Sequence, residues 1–151
     1  MRLELTKRGD YAVRAMLALA GNGGGLLSVR HIAGEMTIPP RFLPQVMADL
    51  VRADLVEGVT GRSGGYRLSH PAAEISLLTI VEAVEGDSRR TSCVLRGGPC
   101  RGDGVCAVHP AFIAAEAGMI AALDGMTLAD VAAAGDGRAG PPGAARATAA
   151  S

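Results

Sequence analysis

Three thiols and one imidazole lie in a short stretch of the chain, at Cys93, Cys100, Cys106 and His109. Cysteine and histidine side chains are ligands for soft and borderline metals. Six residues separate the first two cysteines and five separate the second and third, whereas structural zinc sites usually contain a Cys-x-x-Cys pair. The wider gaps favour a bulkier inorganic core over a single zinc ion. We therefore expect this segment to hold an iron-sulfur cluster.

The residues between these ligands suit the same chemistry. Four glycines between Gly97 and Gly104 let the backbone wrap closely around a bound group. Arg96 and Arg101 favour the thiolate form of cysteine, which is the form that binds metal. Three alternatives remain open for these side chains: a bound zinc ion, a metal-free thiol switch, and the reactive thiols of a small redox protein that does not bind DNA.

The chain carries no sequence pattern typical of a catalytic site. It has no Ser-His-Asp order, phosphate-binding loop or evident pair of carboxylates. Pro99 and Cys100 match part of the zinc deaminase motif, but the second cysteine and the His-x-Glu sequence with its catalytic glutamate are missing. We therefore expect a protein that is not an enzyme.

A predicted helix from Arg41 to Ala53 carries side chains that can read DNA. Helical spacing puts Arg41 and Gln45 one turn apart near the amino end of its exposed face, and Arg52 further along the same face. Arg and Gln recognise base edges in the major groove through paired hydrogen bonds. The opposite face should form a buried stripe of Phe42 or Leu43, Val46, Met47, Leu50 and Val51.

Two further groups of residues suit contact with the DNA backbone and the minor groove. Ser28 and Arg30 begin a preceding short helix, where a hydroxyl, a guanidinium and unpaired backbone N–H groups can bind phosphate. Arg62 lies at a glycine-rich tip, and a narrow minor groove attracts arginine. The predicted DNA-contacting residues are Ser28, Arg30, Arg41, Gln45, Arg52, Arg62, Ser63 and Gly64.

Helical periodicity and capping residues predict the elements that position these side chains. Thr6 caps a first helix that ends at the glycine-rich residues 21–25, and Ser28 caps a second helix over 29–36. Residues 55–59 and 66–68 flank the glycine-rich tip as the strands of a β-hairpin. Three helices followed by a hairpin, within about 70 residues, is the order of a winged helix-turn-helix. We therefore predict a mainly α fold with a small β-hairpin wing, and a DNA-binding domain over residues 1–71.

Residues 72–134 are predicted to hold the cysteine segment and the helices of a dimer interface. Ser76 caps a helix over 77–85, an alanine-rich dimerisation helix starts at Pro110, and a last short helix runs from Thr127 to Ala134. The apolar stripe of the long helix needs a partner, which is either the same helix of a second copy or the chain's own first helix. Residues 135–151 consist mostly of small and polar side chains, so we expect a disordered tail.

Charge and hydropathy set the remaining limits. The 151 residues have a formal net charge of zero, but residues 1–71 hold nine Lys or Arg against six Asp or Glu, which makes the candidate DNA-binding half basic. No apolar run approaches the roughly 20 residues that span a bilayer, and the amino terminus does not resemble a signal peptide. These observations predict a cytoplasmic protein with no membrane partner.

Three separate motifs carry a resemblance to a known family. They are the opening Thr-Lys-Arg-Gly-Asp-Tyr-Ala-Val of residues 6–13, the Gly-Arg-Ser-Gly-Gly-Tyr of residues 61–66, and the three-cysteine segment. In this order they resemble the Rrf family of bacterial regulators, of the IscR and NsrR type, over about residues 1–134. The resemblance implies a homodimeric winged-helix protein that binds palindromic promoter sites in double-stranded DNA and regulates transcription.

The resemblance also implies a cofactor and its ligands. Many members carry a 2Fe-2S or 4Fe-4S cluster on three cysteines, which correspond to Cys93, Cys100 and Cys106. The fourth ligand is a histidine three residues after the last cysteine in IscR-like members, which matches His109, or an aspartate from the other subunit in NsrR-like members, which matches Asp10. Such a protein would sense iron-sulfur status, nitric oxide or redox state.

Overall fold

The computed structural model describes residues 4–88 and 107–135. Its helices and strands are α1 (Lys7–Gly21), α2 (Val29–Glu35), α3 (Leu43–Arg52), β1 (Val56–Val59), β2 (Gly65–Leu68), α4 (Leu77–Glu85), α5 (His109–Asp124) and α6 (Leu128–Ala134), with a short 3₁₀ turn at Ala72–Glu74. The two strands pair antiparallel. This confirms the predicted mainly α fold with a β-hairpin wing. The three cysteines and residues 136–151 lie outside the described residues.

Side-chain caps define where three of the helices begin. Thr6, Ser28 and Ser76 each accept a hydrogen bond from the backbone N–H three residues later, at 3.2 Å in all three cases. Such caps satisfy N–H groups that have no partner within the helix. The predicted starts of α1, α2 and α4 are therefore confirmed.

The predicted start of the third helix at Arg41 was wrong, because α3 begins at Leu43. Two prolines precede Arg41, and the chain there forms a turn closed by a hydrogen bond from the Phe42 N–H to the Pro39 carbonyl at 3.1 Å. Phe42 offers no side-chain cap, and Pro44 lies in the first turn, where its missing N–H costs no helical hydrogen bond. The long helix likewise begins one residue before the predicted Pro110, at His109.

The hydrophobic core forms around α1, which contacts α2, α3, α4, α6 and β2. Met16 of α1, Leu50 of α3 and Ile80 of α4 are fully buried in it. The predicted stripe of α3 holds for Leu43, Val46, Met47 and Leu50, all of which are buried. Its last residue, Val51, was assigned wrongly, since it remains 40% exposed.

The amino end of α4 and the segment between α5 and α6 are joined through their backbones. The Leu77 N–H donates to the Met126 carbonyl at 2.9 Å, and the Leu128 N–H donates to the Ile75 carbonyl at 2.8 Å. The carboxyl end of α5 is therefore attached to the same core as α1 and α3. Along the described residues 109–124, by contrast, no side chain of α5 is buried within the single chain.

Close backbone packing explains two glycines of the hairpin motif. A Cβ on Gly65 would lie 2.6 Å from the Leu27 carbonyl oxygen, and a Cβ on Gly64 would lie 2.2 Å from the Val59 carbonyl oxygen. Gly65 must lie this close because its neighbour Tyr66 exchanges two backbone hydrogen bonds with Leu27, at 2.8 and 2.9 Å. These bonds attach the hairpin to the segment that leads into α2.

Replacing Gly65 with alanine should therefore destabilise the fold. The new methyl group would collide with the Leu27 backbone, and we expect the free energy of unfolding to fall by about 1–3 kcal/mol. Gly34→Ala is the matched control, because that glycine lies inside α2 with nothing within 4 Å of its Cβ position. It should gain about 0.5–1 kcal/mol. Chemical denaturation measures the free energy of unfolding of both variants. An equal change in Gly65→Ala and Gly34→Ala would contradict the proposed collision with the Leu27 backbone.

Candidate nucleic-acid interface

Helices α2 and α3 form a helix-turn-helix with a polar outer face. The turn between them is fastened by a hydrogen bond from the Ile38 N–H to the Ala33 carbonyl at 2.9 Å, and Ile38 itself is buried. With the apolar stripe of α3 in the core, Gln45, Ala48 and Arg52 lie on its exposed side. An exposed second helix of this kind is the element that enters the major groove in such motifs.

Arg41 does not share a helical face with Gln45, which corrects the prediction that both lie one turn apart on α3. It lies in the turn before the helix, and its guanidinium carbon is 4.6 Å from the centre of the Phe42 ring. Phe42 stacks in turn on Tyr11 of α1, with 5.9 Å between the ring centres. Arg41 is therefore an exposed cation beside the amino end of α3, supported by an aromatic pair.

The candidate phosphate-binding residues lie at the amino end of α2. Ser28 is exposed, and its hydroxyl oxygen already accepts the His31 N–H as the helix cap. The hydroxyl hydrogen can still be donated to a phosphate. Arg30, in the first turn of α2, is also exposed.

The hairpin presents a basic, glycine-rich tip. Arg62 and Ser63 are exposed, while Gly64 is half-buried and its N–H donates to the Gly61 carbonyl at 3.1 Å. Arg67 on β2 lies opposite Glu57 on β1 and donates a hydrogen bond to its carboxylate at 2.8 Å. This bond lowers the pKa of Glu57 and pairs the charge of Arg67 with a carboxylate of the same hairpin.

Asp49 is a buried carboxylate of α3 that the sequence analysis missed. One of its oxygens accepts from Arg52 at 2.8 Å and from Gln45 at 3.2 Å, and the other accepts from Arg8 of α1. Burial would raise the pKa of Asp49, but the hydrogen bonds from Arg52, Arg8 and Gln45 outweigh it and lower the pKa below its ordinary value. The sequence did offer a signal for part of this group, because Gln45 and Arg52 lie four residues before and three residues after Asp49, the spacings at which side chains meet on one helix.

Asp10, one of the two predicted fourth ligands, is bound by an arginine of its own helix. Arg14 donates to one Asp10 oxygen from Nε at 2.9 Å and to the other from Nη2. A third hydrogen bond runs from Arg14 Nη1 to the Met36 carbonyl at 3.2 Å. Arg14 is itself buried, so the pair fastens α1 to the end of α2.

His109, the other predicted fourth ligand, is half-buried as the first residue of α5. It follows Cys106 by three residues, so it is tied closely to the cysteine segment, which lies outside the described residues. Within residues 4–88 and 107–135 there is no group of three or more His, Cys, Asp or Glu that could hold a metal ion. No helix in this part of the chain is long and apolar enough to cross a membrane.

Comparisons with known proteins agree on one family. The family model named Rrf2, described as an iron-dependent transcriptional regulator, matches residues 5–134. The aau3 protein of Rhizobium meliloti is 35% identical over 130 residues, which cover 85% of this chain and 84% of that protein.

Two solved structures show the same similarity in three dimensions. CymR, the global cysteine regulator of B. subtilis, superposes with a TM-score of 0.75 at 26% identity, covering 89% of this chain and all of CymR. IscR of T. potens superposes with a TM-score of 0.71, also at 26% identity, covering 91% of this chain and 93% of IscR.

The buried Asp49 should make stability depend on acid pH. Because its folded-state pKa lies below the ordinary value of 3.8, its contribution is complete well above that pH and is lost as the pH falls through the folded-state pKa. We expect Asp49→Asn to lower the free energy of unfolding at pH 7 by about 1–3 kcal/mol, the cost of breaking a buried charged hydrogen-bond group.

Urea denaturation of Asp49→Asn and the parent between pH 7 and pH 2.5 measures the difference between their free energies of unfolding. It should narrow as the parent's Asp49 becomes protonated. Asp54→Asn is the matched control, since the Asp54 side chain is 85% exposed and its backbone φ of +59° suits asparagine. The same loss in both variants would contradict the assignment to Asp49.

Proposed function

The chain belongs to the Rrf2 family of transcriptional regulators, and we propose that it is a homodimeric DNA-binding regulator whose DNA affinity responds to an iron-sulfur cluster. One observation carries the proposal. A helix-turn-helix with an exposed polar second helix shares its core with α4, and α4 contacts α5; α4 and α5 are the two helices that flank the three-cysteine segment. The proposed DNA-contacting helix α3 is thus connected through α4 to both ends of the proposed cluster-binding segment.

In the proposed complex α3 enters the major groove. Gln45 and Arg52 contact base edges or the adjacent phosphates from α3, and Arg41 contacts the DNA beside its amino end. Ser28 and Arg30 bind a phosphate of the backbone. The hairpin tip approaches the minor groove, where Arg62 inserts. The next two residues, Ser63 and Gly64, are small enough to let the backbone come close to the DNA.

We propose that α5 is the dimer interface. Phe112 and Ile113 are 37% and 45% exposed, although large apolar side chains gain free energy when they leave water. Packing α5 against α5 of a second copy would bury them and place two α3 helices in one particle. A dimer with twofold symmetry recognises a palindromic site.

The donor set fits an iron-sulfur cluster. Cys93, Cys100 and Cys106 supply three thiolates, which are the ligands that 2Fe-2S and 4Fe-4S clusters require. When bound, a cluster supplies iron that reacts with nitric oxide, oxygen and reductants. We assign the fourth position to His109 rather than Asp10 of the partner subunit. Both oxygens of Asp10 already accept hydrogen bonds from Arg14, and His109 follows Cys106 by only three residues, which keeps its imidazole next to the cysteine segment.

Two contacts provide a route from the cysteine segment to the DNA-binding surface. Glu85, the last residue of α4 before the segment, accepts hydrogen bonds from the Thr6 N–H at 3.0 Å and from the Thr6 hydroxyl at 2.7 Å. It therefore holds the amino end of α1, which packs on α3. On the far side of the segment, the hydroxyl of Ser76 donates to Asp124 at the end of α5, at 3.2 Å. A change of conformation in the segment would act on α1 through one contact and on α4 through the other.

DNA binding is tested first on a site selected by the purified protein from random duplexes. Arg62→Ala should weaken binding and reduce the slope of log affinity against log salt by about 1, because one cation that lies against the DNA in the minor groove is lost. Gln45→Ala should relax base preference at one position of the site. The double variant Glu57→Gln/Arg67→Gln is the matched control on the same hairpin, since it removes an exposed ion pair and leaves the net charge unchanged. Failure of the parent protein to select any site would contradict the proposed function.

Cofactor and assembly are tested together by native mass spectrometry of anaerobically purified protein, with iron and acid-labile sulfide assays. We expect a dimer that carries cluster mass and visible absorption, both lost in Cys106→Ser. His109→Ala should lose the cluster more readily on exposure to air than Asp10→Asn, and His70→Ala is the control for removing an imidazole. A colourless dimer with stoichiometric zinc would contradict the cluster and indicate a zinc site. A colourless dimer with free thiols and no metal would contradict the cluster and indicate a thiol switch.

A further inference from the structure

Asp49 is a negatively charged residue on α3, the helix proposed to contact DNA, which is itself a polyanion. Its residue surface is only 4% exposed, yet its carboxylate binds side chains that reach the surface. Arg8 and Arg52 have side chains that are 53% and 71% exposed, and Gln45 is exposed as well. We call these four residues, Arg8, Gln45, Asp49 and Arg52, the Asp49 cluster.

The hydrogen bonds of the cluster use only part of each donor group. A guanidinium carries five N–H donors, and Arg52 gives one nitrogen to Asp49 at 2.8 Å. Arg8 gives one nitrogen to the other carboxylate oxygen. Gln45 donates from its amide nitrogen at 3.2 Å, which leaves its carbonyl oxygen and second N–H available. The outer ends of all three side chains can therefore still bind DNA.

The cluster also joins two helices. Arg8 comes from the first turn of α1, whereas the other members belong to α3. With two guanidinium groups and one carboxylate, the cluster has a formal charge of +1, so it attracts phosphate although it contains an acid. Long side chains lose rotamer freedom when they bind a ligand, and an anchor that restricts them beforehand reduces that loss.

On the premise of the proposed DNA-binding function, we propose that Asp49 is a positioning residue of the DNA interface. It orients Gln45 toward base edges and holds Arg8 and Arg52 in place for phosphates. Arg8 is thereby a further DNA-contacting residue, contributed by α1 and outside the helix-turn-helix.

The substitution Asp49→Asn distinguishes a positioning role from a purely electrostatic one, because the two roles predict opposite changes in affinity for the preferred DNA site. The substitution removes a negative charge near the DNA, so charge alone predicts tighter binding to every duplex. Loss of positioning predicts the reverse for the preferred site. There we expect affinity to fall, so that the ratio of specific to non-specific affinity drops about tenfold. Fluorescence anisotropy on the selected site and a scrambled duplex measures that ratio.

Asp54→Asn is again the matched control, because it makes the same chemical change at an exposed position close to the end of α3. Its specificity ratio should equal that of the parent. A ratio in Asp49→Asn that stays at the parental value, or rises, would overturn the positioning role. If the parent itself selects no site, the proposed function fails instead, so the two failures are distinguishable.

The salt slope of Arg8→Gln tests the second half of the inference, that Arg8 contacts the DNA, without any substitution at Asp49. Removing an exposed cation that binds phosphate should lower the salt slope by about 1. In the double variant the affinity loss should be smaller than the sum of the two single losses, since Asp49 acts partly through Arg8. An unchanged salt slope in Arg8→Gln would exclude Arg8 from the interface, and fully additive losses would show that Asp49 does not act through it.

Discussion

The burial of α1 against α3 and α4 is the constraint on which the rest of the structure depends. Met16, Leu50 and Ile80, one from each helix, are fully removed from water, and each such side chain contributes about 1.5–3 kcal/mol. Because α1, α3 and α4 all contact one another, neither α3 nor α4, the helix that precedes the cysteine segment, can move far without disturbing this packing. Under the proposed function, a change in the cysteine segment would therefore act on α3 through this shared packing.

Polar contacts then select one arrangement of this core. Arg14 links Asp10 to the Met36 carbonyl, Glu85 holds the amino end of α1, and Asp49 joins α1 to α3. Each is made by a charged group that would cost free energy if it were buried without partners. These contacts contribute less to net stability than the apolar packing does, but they determine the relative positions of the helices that carry the proposed DNA-contacting residues.

Local features of the chain were predicted well where one residue decides the outcome. The caps Thr6, Ser28 and Ser76 and the hairpin around Arg62 are where the sequence places them, since a hydroxyl before a helical segment or glycines between two strands act within a few residues. The start of α3 was missed because Pro39, Pro40 and Pro44 allow either a turn or a first helical turn. The closing hydrogen bond from Phe42 to Pro39 decides between them.

By itself the sequence determined the order of elements, the apolar faces, the donor set of the cysteine segment and the family to which the chain belongs. Those properties follow from residue type and short-range spacing. Only the tertiary structure decided that Asp49 binds Arg8, which lies 41 residues earlier in another helix, and that Arg14 hydrogen-bonds both oxygens of Asp10. It also decided that Phe112 and Ile113 of α5 remain exposed within the single chain. The physical reason is that burial and side-chain pairing across helices depend on how whole elements pack, and spacing along one helix does not carry that information.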